Sequence, residues 1–181
     1  MLASEQPDAS RFPSCIRRST IHANVVYRRC EGWFGSLGTT AARGVPTIHG
    51  TVGDDPELGR IAIHHGAPDP ATLGSGVRLV AVYESPESHT LNVPTGRIFV
   101  RFGDAIRAED RRPILEALGF RIVDIPRYAP QAAWIEDVQG RIARALGRIR
   151  DLEALEDVEN VEPQLLAPAS KRADATPADG T

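Results

Sequence analysis

Residues 96–166 alternate strand-like and helix-like patterns so regularly that few folds accommodate them. Arg97–Phe102 puts Ile98, Val100 and Phe102 on one face and Arg97, Phe99 and Arg101 on the other. Residues 107–118 then carry Ile114, Leu115 and Leu118 on one helical stripe, and Gly119 supplies a stop. A second strand is expected over Phe120–Ile125, closed by Pro126. Tyr128-Ala-Pro130 turns the chain into a third strand, Gln131–Val138. Ile142, Leu146, Ile149 and Leu152 mark a helix over residues 140–153. A short fourth strand, Asp157–Glu162, is expected to end at Pro163.

Strand, helix, strand, strand, helix, strand at these lengths predicts an α+β ferredoxin-like split βαβ sandwich, a four-stranded antiparallel sheet with two helices on one face. The opposite face then stays open, with Phe99 and Trp134 beside Arg101 and Glu136. Two aromatics on a bare sheet mark a docking surface unless the preceding region covers them. That preceding region, residues 21–95, is rich in Gly, Pro, Ser and Thr with short apolar runs and reads as β-rich. Residues 1–20 read as a flexible N-terminus. Residues 167–181 lack any large apolar side chain and are expected to be a disordered tail.

Charge and motifs exclude more than they assign. The 181 residues carry a net charge of −3, which gives no global field for nucleic acid or an anionic membrane. No apolar run approaches the roughly 20 residues of a membrane helix. The polar stretch Met1–Ser19 lacks the apolar core of a secretory signal, so the chain as written is expected in the cytoplasm. Cys15 and Cys30 are expected to be reduced, inert thiols there. Metal binding is not expected, because Cys15, His22, Cys30 and His64-His65 have no ligand-like spacing and adjacent strand histidines face opposite ways. No phosphate-cradling glycine motif appears, and Gly35-Ser-Leu-Gly38 reads as a turn. The arginines at 141, 144 and 148 read as a solvated helix stripe opposed by Asp151 and Glu153.

Four pieces of this stretch, taken together, resemble the propeptide, or inhibitor, domain of subtilisin-like serine proteases. They are Ile98-Phe-Val-Arg-Phe102, the helix ending Leu115-Glu-Ala-Leu-Gly119, Tyr128-Ala-Pro-Gln-Ala-Ala-Trp-Ile135, and Leu155-Glu-Asp-Val-Glu-Asn-Val-Glu-Pro163. Residues 76–100 are similar to the stretch before this module in large bacterial subtilases, where a degenerate copy of the unit lies in front. The resemblance makes Asn24–Tyr27, Arg60–His64 and Val77–Tyr83 strands of a worn first copy.

The resemblance implies a protease-binding role. Such a propeptide lays its open sheet face on the protease and threads the segment after its last strand through the active-site cleft. The implied contact residues are Phe99, Arg101, Trp134, Glu136 and Glu162 on the face. Pro163, Gln164, Leu165, Leu166 and Ala167 form the threading segment. The implied partner is a subtilisin-like serine protease encoded elsewhere, inhibited and chaperoned by linkage. Relatives of this module act outside the cytoplasm, against the expectation from the N-terminus. The Asp, His and Ser motifs of a subtilase are not found: Val52 stands where the second histidine of a His49-Gly-Thr motif belongs. The chain is therefore expected to be neither an enzyme nor a cofactor binder. The strand Ile98-Phe-Val100 also resembles the first strand of RNA-recognition motifs. The third strand, with one aromatic and two acids, argues against RNA. The alternatives are a non-catalytic scaffold or regulatory module that self-associates through the open face, or a remnant of a protease precursor.

Overall fold

A computed structural model describes residues 11–19, 24–38, 48–55, 58–68 and 76–168. Five strands precede the long central one: β1 (Cys15–Ser19), β2 (Asn24–Gly38), β3 (Ile48–Asp55), β4 (Gly59–His65) and β5 (Arg78–Glu84). The central strand β6 (Leu91–Phe102) leads through a 3-10 turn, Ala108–Arg111, into α1 (Arg112–Ala117). Then come β7 (Phe120–Asp124), β8 (Ala132–Asp137), α2 (Ile142–Gly147), α3 (Ile149–Glu153) and β9 (Val158–Leu166).

The ferredoxin-like sandwich is overturned. The nine strands form one antiparallel, mostly β architecture, a curled sheet shaped like a half-barrel, rather than a four-stranded sheet preceded by a separate small copy. Their order is β3-β4-β2-β5-β6-β8-β7, with β1 added to β2 and β9 to β6. Each pairing is antiparallel. The strands of the expected sandwich are present in the order β9-β6-β8-β7, but they continue into the sheet before them. The link is a junction of β5 with the start of β6, Tyr83 opposite Asn92 and Glu84 opposite Leu91. The start of β6, which β8 does not reach, has N–H and C=O groups to pair, and β5 supplies the partner.

One glycine makes the continuation possible. The register of β6 against β9 shifts between Pro94 and Ile98, and Gly96 within that shift has φ +91°. There three residues of β6, Thr95, Gly96 and Arg97, stand opposite the single Gln164 of β9. Asn92–Gly96 are all buried, and beyond them Ile98, Val100 and Phe102 alternate into the same core as Val93. That core is a single cluster running from Phe12, Ile16 and Leu37 through Ile63, Val82 and Tyr83 to Leu115, Ile135, Leu152 and Val161. The boundary drawn at residue 95 falls inside β6.

Several local expectations are also corrected. Gly35-Ser-Leu-Gly38 is not a turn but the end of β2, packed between β4 and β5. A Cβ at Gly35 would lie 2.8 Å from Val80 Cγ2, so the glycine serves close approach of strands. The helix expected over residues 140–153 is two short helices hinged at Arg148 (φ −102°, ψ 8°). The first helix begins as a 3-10 turn because Pro113 fits only the first turn of the α-helix. Pro163 does not end the last strand: β9 runs on to Leu166, with Pro163 buried opposite Ile98 beside the register shift. A proline is tolerated where its missing N–H faces away from the ladder. His22, residues 1–10 and residues 169–181, the greater part of the expected tail, lie outside the described residues.

Candidate functional site

Alternation along β6 and β8 delivers the expected face, because Ile98, Val100 and Phe102 turn inward under the helices. Phe99 is directly opposite Trp134 on β8 and Glu162 on β9. The Phe99 and Trp134 rings meet edge-to-face, 5.2 Å between centroids at 60°, the geometry that ring quadrupoles favour. Both side chains are half-buried. The pair is thus fixed in place yet keeps a surface to offer.

Charges fence this pair in. Arg101 donates to Asp104 Oδ1 at 2.7 Å and forms an ion pair with Glu159 at 3.3 Å. Glu136 accepts from Arg121 Nε at 2.8 Å across β7 and β8. Glu162 accepts from Asn160 Nδ2 at 2.6 Å and from Arg18 Nε at 3.1 Å. The Arg18 contact joins β1 to β9 and draws the first strand of the curl against the last.

The threading segment has another use. Gln164 Oε1 accepts from Thr95 Oγ1 at 2.7 Å, and the same hydroxyl accepts from the Arg97 N–H at 3.1 Å. Leu165 is opposite Pro94 and Leu166 opposite Val93, and both leucines pack on the core. Ala167 follows the strand, half-buried. The ten candidate residues therefore divide. Phe99, Arg101, Trp134, Glu136 and Glu162 share a face, Pro163, Gln164, Leu165 and Leu166 belong to the ladder between β6 and β9, and Ala167 lies just beyond it.

Sequence reasoning missed a buried polar pair. Ser36 Oγ lies 2.9 Å from His64 Nε2, where β2 and β4 run side by side. Phe34 stacks on the imidazole at 4.8 Å and 16°. His64 Nδ1 has no hydrogen-bond partner among the described residues, and burial lowers the pKa of the ring below its ordinary value. A hydroxyl against an imidazole is the start of a nucleophile–base arrangement, but Ser36 is 8% and His64 3% exposed. In this setting the pair satisfies two polar groups inside the sheet. Reading Gly35–Gly38 as a turn concealed it. Adjacent His65 points to the surface and meets Trp33 edge-on at 4.7 Å.

A second missed group surrounds Asp137, which is 2% exposed. It accepts from the N–H groups of Gln139 (2.9 Å) and Arg141 (3.2 Å) and from Arg144 Nη1 at 2.6 Å. Burial works to raise its pKa, but the two N–H donors and the Arg144 guanidinium outweigh that and hold it below the usual carboxylate range. The arginine at 144, expected to be solvated, is in fact the buried acid's partner, and Arg148 Nη1 donates to the Leu118 carbonyl at 2.7 Å. Cys15 is exposed, Cys30 half-buried, and both are free thiols. Among the described residues no cluster of three or more His, Cys, Asp or Glu is placed to hold a metal ion, and no helix is long and apolar enough to cross a membrane. No protein-family model, curated protein or solved structure significantly matches this chain.

Proposed function

We propose that this chain is a non-catalytic protein-binding module whose partner is a subtilisin-like serine protease, engaged through the sheet face centred on Phe99 and Trp134. One observation carries the reading: an edge-to-face aromatic pair is held half-exposed between paired charges on the face opposite the helices. Aromatic anchors inside a polar rim are what a protein interface requires. The partner class rests on the resemblance of residues 96–166 to the propeptide domain.

Occlusion of the protease cleft by Gln164–Ala167 carries a cost in this reading. The segment has to leave β6, giving up the Thr95–Gln164 hydrogen bond and the packing of Leu165 and Leu166. The face therefore contributes the binding energy, and the segment follows only if the cleft repays its release. A second reading, self-association through the same face, is favoured by that same commitment of Gln164–Leu166 to β9.

Titration of the full chain against a panel of subtilisin-like proteases tests the proposal. Inhibition weakened about tenfold or more by Trp134→Ala, with an unchanged melting temperature, is the expected result. Inhibition that survives Phe99→Ala and Trp134→Ala, but is lost on Leu165→Ser, moves the site to the threading segment. No inhibition, together with a concentration-dependent dimer that Trp134→Ala dissolves, replaces the protease with a second copy.

A further inference from the structure

The two junctions of β6 leave a gap. β5 pairs with it at Leu91 and Asn92, β8 only from Ile98 to Arg101, and Thr95, Gly96 and Arg97 lie between. A cavity of about 190 Å³ opens there. Four guanidinium groups line it from four separate parts of the chain: Arg78 of β5, Arg97 of β6, Arg121 of β7 and Arg141 just before α2. Two carboxylates, Glu136 and Asp137, are the acids in the lining. Both already have partners: Glu136 pairs with Arg121, and Asp137 with Arg141 at 3.6 Å as well as with Arg144 outside the lining. Four arginines against two acids still leave the lining a formal surplus of positive charge, in a chain whose overall charge is −3.

We infer that this cavity binds a small multivalent oxyanion, either a phosphate compound or a polycarboxylate. The argument is chemical. Guanidinium groups present planar, paired donors that match the oxygens of phosphate and carboxylate, and they stay charged at any physiological pH. The arginines from β5, β6, β7 and the α2 approach outnumber the acids of the lining, and a bound polyanion offsets that surplus. The size limits the ligand: pockets for drug-sized molecules begin at roughly 300 Å³, so the site suits a compact anion. Arg78 is the most informative side chain. It is exposed and has no ion-pair partner among the described residues. Gly96 keeps the floor open and tight at once, since a Cβ there would lie 2.8 Å from Ile142 Cγ1.

The inference stands apart from the protease-binding proposal and is tested without a protease. The full chain is titrated calorimetrically with pyrophosphate and with citrate at low ionic strength, beside Arg78→Glu and the remote control Arg150→Glu on α3. The expected result is saturable binding that Arg78→Glu weakens about tenfold while Arg150→Glu leaves it intact, with binding fading as salt rises. Pyrophosphate preferred over citrate identifies the phosphate source, and the reverse identifies the polycarboxylate. Equal weakening by both variants, or no saturable binding of either anion, overturns the inference. Unligated melting temperatures of the two variants equal to that of the parent exclude a folding defect.

Discussion

The two halves of β6 live in different surroundings. Before Gly96 the strand meets β5 and faces the interior of a sheet built from β1–β5, where even a polar pair, Ser36 and His64, is sealed from water. After Gly96 it lies between β8 and β9, with helices under one side and the half-exposed Phe99–Trp134 pair on the other. Sealing both faces leaves a sheet nothing to offer a partner; covering one leaves a platform. The molecule does both within a single strand, and the register shift around Gly96 marks the change. A single core nevertheless runs through both halves.

Core truncations attack the comparison hardest. Leu37→Ala in the sealed half and Phe102→Ala under the helices each remove a fully buried side chain. Each is expected to cost about 3–5 kcal/mol in urea unfolding, the phenylalanine at the upper end. If the halves are one unit, each substitution lowers the stability reported by probes in both. Gly96→Val attacks the bulge itself. It meets positive φ and the Ile142 contact together, so a loss of about 2–4 kcal/mol is expected by the same measurement. Gly140→Ala also adopts positive φ but meets nothing within 4 Å, and should cost about 1 kcal/mol.

The sealed half carries a pH signature near neutrality, whereas that of Asp137 in the platform half lies in the acid range. Burial lowers the pKa of His64 in the folded state, so the unfolded chain binds the proton more readily. Stability is then complete above the unfolded value of about 6.5 and declines as pH falls from there towards the folded pKa. Melting temperatures measured between pH 8 and pH 5 should show this decline, and His64→Gln should flatten it. The smallest effect expected is at the seam. Arg18→Ala breaks the ion pair to Glu162, and with Arg18 45% and Glu162 22% exposed it should cost about 0.2–1 kcal/mol. Loss of amide protection confined to β1 would be its mark in hydrogen exchange.

Where the sequence spoke in alternation, it was legible. The strands and turns from Arg97 onward could be placed because Ile98, Val100 and Phe102 alternate cleanly and Gly119 and Pro126 punctuate the chain. The continuation into β1–β5 could not, because Asn92–Gly96 are buried without alternation and the register shift around Gly96 splits one strand into two unlike patterns. Pro163 hid the rest of β9, since a proline ordinarily closes a strand and this one sits beside a register shift. Leu165 and Leu166, read as side chains for a protease cleft, instead fill the flank of the core. Gly35 and Gly38 disguised the end of β2 as a turn, and with it the Ser36–His64 pair. Each failure has the same origin: a residue that usually breaks a strand was used inside one, where only the partner strand reveals why.

The central claim, that a bulged β6 makes one cooperative unit of two unlike halves, can be tested with the chain's own fluorophores. Its two tryptophans are divided between them, Trp33 on β2 and Trp134 on β8. Equilibrium urea unfolding of Trp33→Phe and Trp134→Phe, each followed by the tryptophan that remains and by circular dichroism, reports the halves separately. A single transition in each protein, with the fluorescence and circular dichroism curves superimposed, is the result expected. Two separated transitions, with the Trp134 half persisting after the Trp33 half has unfolded or the reverse, would contradict it.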